Sequence, residues 1–177
     1  MKKIVFITLS LLLAVSFWNC EKDDICAEGT AVTPRVIIEF YDAANPTVLK
    51  NVTNLRVEEL NTDNGVVFNE DMDETVPARY LANGNKIAIP LKTFSETSAF
   101  EFIFNYGDAA ANTDVITFNY TKDDVYISRA CGYKTVFYLD TTNPIELTTD
   151  GNNWIQNIEV IQPNIETENE VHVKIYF

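Results

Sequence analysis

The chain has 177 residues, enough for one domain with a single core, and its 26 acidic against 13 basic side chains give a formal net charge of -13. That balance argues against nucleic acid or a bare anionic bilayer as an electrostatic partner. Apolar residues make up 46% and aromatics 12%, with only 6 glycines and 6 prolines, which excludes a disordered tail and indicates a folded globular domain.

The first element in chain order is a leader. Lys2 and Lys3 precede an uncharged apolar run from Ile4 to Trp18, and Cys20 follows, backed by Glu21, Lys22, Asp23 and Asp24. The run falls short of the roughly 20 residues that cross a ~30 Å hydrocarbon core, so residues 1–19 read as a secretory signal. Phe17, Trp18 and Asn19 offer no small-residue site to an ordinary signal peptidase. The layout instead resembles a bacterial lipoprotein signal, although Phe17 and Asn19 stand where the usual box has leucine and a small residue. The resemblance implies that Cys20 carries acyl chains such as palmitate and becomes the first residue of the mature protein. Each buried methylene contributes ~0.8 kcal/mol and more than one chain is attached, so the implied anchoring is firm. Loss of Lys2 and Lys3 takes the formal charge from -13 to about -15.

Residues 20–30 are then a lipidated tether and residues 31–177 a single domain. Lys22-Asp23-Asp24 resembles the lysine-plus-two-acids signal that sends Bacteroidota lipoproteins to the outer face of the outer membrane. With Cys20 set aside, Cys26 and Cys131 remain as an even pair, expected to form a disulfide in an oxidising compartment. Closing so long a loop is worth about 4–5 kcal/mol in the chain-entropy model. Two cysteines without CxxC spacing or neighbouring histidines are too few to hold a metal, and no cofactor is expected.

From Pro34 onward the apolar residues alternate with period two, the mark of strands. PRVIIEFYD places Val36, Ile38 and Phe40 on one face and Ile37, Glu39 and Tyr41 on the other; TNLRVEEL sets Leu55, Val57 and Glu59 against Arg56, Glu58 and Leu60. Further strands are predicted in GVVFN, NKIAIPLK, SAFEFIFNY, DVITFNYT, VYISRACGYKTVFYL, NWIQNIEVIQ and NEVHVKIYF. Asn64-Gly65, Asn83-Gly84, Asn143-Pro144 and Asp150-Gly151 supply turns, and NEDMDETVPARY reads as irregular. The expected fold is all-β: an immunoglobulin-like two-sheet β-sandwich of about 8–9 antiparallel strands, with a barrel as second choice. The block TPRVIIEFYDAANPTVLKNVTNLRV, Thr33 to Val57, resembles the opening of an uncharacterised family of short Bacteroidota lipoproteins, a likeness extending through Cys131. It implies a lipoprotein and a sandwich and carries no site.

Chemistry finds little purchase. The sole histidine, His172, alternates onto the face of Glu170 and Lys174 and is predicted to be solvated; no GxSxG or comparable signature accompanies it. The acidic run Asn69–Glu74 lacks the ligand order and turn glycine of an EF-hand and reads as a solvated loop. Phe100, Phe102, Phe104 and Tyr106 share one strand face as a core seam. Trp154, behind the Asp150-Gly151 turn, is a better candidate than that seam for an exposed ring in a sugar- or protein-binding loop, although a structural, packed role is its favoured reading. The function expected is non-catalytic: an outer-membrane-anchored, surface-facing domain that binds a membrane protein or a surface glycan. Its alternatives are an integral eight-stranded outer-membrane barrel, or an enzyme with an unrecognised acidic site.

Overall fold

The structure, a computed structural model, describes residues 25–27, 29–30 and 32–177. Cys20, Lys22, Asp23 and Asp24 lie outside the described residues. The described chain is all-β, with one short 3-10 helix at Pro77–Tyr80. Its strands are β1 (Val36–Tyr41), β2 (Val52–Glu59), β3 (Leu81–Gly84), β4 (Lys86–Ile89), β5 (Thr97–Phe104), β6 (Asn112–Ser128), β7 (Gly132–Leu139), β8 (Ile145–Thr148), β9 (Asn157–Val160), β10 (Asn164–Ile165) and β11 (Val173–Tyr176).

They form two open sheets. One has the order β4-β1-β11-β9; the other has the order β10-β7-β6-β5-β2-β3, with β8 also pairing β6. Neither sheet closes on itself, so the fold is a β-sandwich and not the barrel that alternation also allowed. A wholly antiparallel arrangement does not hold either: β1 and β11 run parallel, with Ile38 opposite Val173 and Phe40 opposite Ile175.

Burial follows the pleat. Val36, Ile38 and Phe40 of β1 and Val173 and Ile175 of β11 are fully buried and face Leu55, Val57, Phe102, Ile116 and Phe118 of the other sheet in one core. In β2 the inward residues Val52 and Leu55 are three apart, a spacing simple alternation forbids. A register shift between them, with Asn54 at φ 45°, absorbs the extra residue, and Asn83 Oδ1 accepts the Asn54 N–H at 2.9 Å. Asn105, at φ 53°, ends β5 in the same way and turns Tyr106 out of the seam formed by Phe100 and Phe102.

One predicted strand is lost, and another strand arises where none was predicted. GVVFN forms only an isolated bridge between Gly65 and Glu58, whereas the short, unanticipated β8 pairs Ile145–Thr148 with Val115–Phe118. Compactness separates the chain into a main body, residues 31–125 with 134–177, and a small unit whose described residues are 25–27, 29–30 and 126–133. The small unit contains the expected disulfide, Cys26–Cys131, with a Cα–Cα distance of 4.9 Å.

Candidate binding cleft

The main body carries an open cleft of about 640 Å³. It is lined by Leu81, Ala82 and Asn83 of β3 and by Lys86, Ile87 and Ala88 of β4, on either side of the point where the chain passes from one sheet to the other. One wall is the 67–71 segment, and the other is formed by Arg35 and Glu168. These two make a bidentate clamp: Arg35 Nε donates to Glu168 Oε1 and Nη2 to Oε2, both at 2.8 Å, and the Arg35 backbone N–H adds a third bond at 3.0 Å. The guanidinium's hydrogen bonds hold the Glu168 carboxyl below the usual carboxylate range despite its burial.

Lys86 projects from β4 and pairs with Glu39 at 2.8 Å. Burial pushes Glu39 up, but hydrogen bonds from Lys86 and from the Tyr41 hydroxyl outweigh it, so the carboxyl titrates below its ordinary value. On the opposite wall, Asn69 Nδ2 donates to the carbonyls of Ala78 and Leu81, while Arg79 Nη1 donates to those of Glu70 and Met72. The acidic run is therefore a braced loop whose Glu70 and Met72 carbonyls are engaged by Arg79, with the Glu70 and Asp71 side chains exposed at the rim. Among the described residues, no three acidic, cysteine or histidine side chains gather as a metal would require.

The open edge of β4 is the cleft's distinctive element. In the sheet order β4 is terminal and pairs only with β1 among the described strands. Asn85 accepts the Phe40 N–H at 2.9 Å, and alternation along the antiparallel ladder makes Ile38–Ile87 and Val36–Ile89 the hydrogen-bonded pairs. The N–H and C=O of Lys86 and Ala88 consequently point away from β1, toward the open edge. Lys86, Ile87 and Ala88 all line the cleft.

The residues singled out in the sequence lie elsewhere. His172 is not solvated but fully buried. The parallel register sets it opposite Ile37, whose N–H donates to His172 Nδ1 at 2.9 Å and whose carbonyl accepts the His172 N–H at 3.0 Å. Burial pushes the imidazole below its ordinary value, against the pull of Glu170 and Glu168. A ring whose acceptor nitrogen is spent on a backbone N–H is a structural clasp, not a general base.

Trp154 also turns inward rather than presenting its ring to a ligand. It stacks on Phe104 at 5.0 Å, meets Phe177 edge-on at 5.3 Å, and donates its Nε1–H to the Phe102 carbonyl at 3.1 Å. Sequence reasoning missed the cleft because its parts come from positions 35, 67–71, 81–88 and 168. The local signal present was the short edge strand in NKIAIPLK, with proline closing it.

The sequence model of a family of unknown function, DUF6452, matches residues 54–177, from within β2 to the end of the chain. No curated protein and no solved structure matches the chain.

Proposed function

The chain belongs to DUF6452, and from that premise we propose that it is an outer-membrane-anchored, surface-facing lipoprotein whose non-catalytic, immunoglobulin-like sandwich binds a protein of the same membrane. The observation that carries the binding reading is the open edge of β4 lying in a cleft of about 640 Å³. An extended segment of a partner adds to such an edge through main-chain hydrogen bonds, and flanking pockets select its side chains. Glu70 and Asp71 at the rim, in a domain of net charge about -15 after processing, favour a segment bearing lysine or arginine. A protein is preferred to a glycan because Phe68 is the sole aromatic side chain among the described residues lining the cleft, and Trp154, the ring best suited to stack on a sugar, is partly buried and stacked on Phe104. Anchoring rests on Cys20 and the outward address on Lys22-Asp23-Asp24, as the lipoprotein resemblance implies.

The test is cross-linking of the anchored protein in intact cells, comparing wild type with Ala88→Pro. The substitution removes an N–H that faces the open edge while leaving the β1 ladder whole. An outer-membrane protein should cross-link to wild type about tenfold more than to the variant, as loss of about 1.4 kcal/mol dictates. Equal cross-linking at equal melting temperature removes β4 as the docking edge. Separately, labelled fatty acid should enter wild type and not Cys20→Ala. Replacing Lys22, Asp23 and Asp24 by alanine should shield the protein from protease added to intact cells.

A further inference from the structure

The small unit has a surface of its own. β6 ends at Ser128 and β7 begins at Gly132, so Arg129, Ala130 and Cys131 form a three-residue hairpin loop. The loop closes with Gly132 at φ 69°, a left-handed position suited to glycine. Ser128 Oγ accepts the Cys131 N–H at 3.0 Å, fixing the cysteine at the tip. Tyr126 and Tyr133 flank the loop in edge-to-face contact at 5.3 Å, yet remain 55% and 67% exposed; Ile25, beside the disulfide partner Cys26, is 84% exposed. Edge-to-face rings in a core are covered by neighbours, whereas this pair presents two apolar ring bodies with polar tips to solvent.

We propose that the Tyr126–Tyr133 hairpin tip, with Ile25, rests on the phospholipid headgroup layer of the membrane that holds the lipid anchor. The inference rests on the anchored reading above. Five residues lie between Cys20 and Cys26, six Cα steps that span at most about 22 Å when fully extended. The disulfide to Cys131 carries that limit to the hairpin. The tip is thus covalently confined close to the bilayer surface at two points of the chain, not one. Tyrosine is a residue that settles at this depth, its ring among the upper methylenes and its hydroxyl in the wet layer.

Charge does not provide the attraction, because the domain is acidic. The contact needs only the modest contribution of two rings and one aliphatic chain, since tethering makes it intramolecular, at an effective concentration in the millimolar range. The same contact is too weak to recruit an unanchored domain.

The test uses the full processed protein in vesicles of phosphatidylethanolamine and phosphatidylglycerol, free of other proteins. Hydroxyl-radical oxidation is read residue by residue by mass spectrometry and normalised to the unfolded chain. Phe94, 84% exposed, should oxidise near its unfolded rate. Tyr126 and Tyr133 should fall about fivefold below theirs, as a tethered contact at millimolar effective concentration allows. Oxidation of the tyrosines at half or more of the unfolded rate, as their bare exposures dictate, in protein whose N-terminal peptide carries acyl mass overturns the headgroup contact and leaves anchoring intact. An N-terminal peptide without acyl mass overturns both.

Discussion

His172 shows how one side chain couples the termini of the sequence to pH. Its Nδ1 accepts the Ile37 N–H only while unprotonated, and burial keeps it so by holding its pKa below the ordinary value of 6.5. The unfolded chain binds this proton more readily than the folded one. The contribution is therefore fully present above pH 6.5 and is lost as pH falls below that value toward the folded pKa. Asp114 works in the opposite sense: burial raises its pKa, so its share of stability declines as pH rises. Urea midpoints of wild type and His172→Gln at pH 7.5 and 5.5 separate the two, since the difference between the proteins should shrink on acidification. A constant difference would rule out His172 as the source of the pH dependence. At pH 8, His172→Leu strands the Ile37 N–H in a dry site and should cost about 1–3 kcal/mol.

At the scale of elements, Trp154 connects β5 to the residue that follows β11. Its ring lies against Phe104, Phe177 and Phe40, and its N–H reaches the Phe102 carbonyl. Trp154→Ala should lower stability by about 3 kcal/mol, at the low end for such truncations because the ring is only partly buried. Trp154→Phe, which keeps an aromatic ring and loses the hydrogen bond, should cost about 1 kcal/mol; urea denaturation followed by circular dichroism measures both. The strands that the sequence displayed clearly, β1, β5 and the first half of β6, are those whose alternate residues are driven into the core, whereas VYISRACGYKTVFYL, predicted as one strand, is the end of β6, a hairpin loop and β7. β8 escaped because only Ile145 and Leu147 mark its inner side, and both are half-buried. His172 and Tyr106 were misplaced for reasons that local alternation does not contain, a distant parallel partner and an asparagine in the left-handed region. The disulfide was readable by counting, whereas the cleft required the folded chain.

For the whole molecule, the Cys26–Cys131 bridge spans a sequence separation of 105 and constrains the unfolded chain. Reducing it should lower the melting temperature by about 10 °C, the equivalent of roughly 4–5 kcal/mol for a domain of this size. An unchanged transition under verified reduction would mean that the reduced chain keeps the same restriction by other contacts. The parallel join of β1 to β11 adds a dimension of time. Residues 37 and 172 are 135 apart, and at synthesis rates of about 5–20 residues per second β1 waits roughly seven to twenty-seven seconds for its central neighbour. During that interval β4 covers one edge of β1, while the other edge and the apolar row Val36, Ile38 and Phe40 stand open to wrong pairing. The sheet closes only when the last strand slides between β1 and β9. Pulse-labelled chains should therefore stay protease-sensitive until residues 173–176 have emerged and turn resistant in a single step, and until then a holding chaperone has its best claim on the chain.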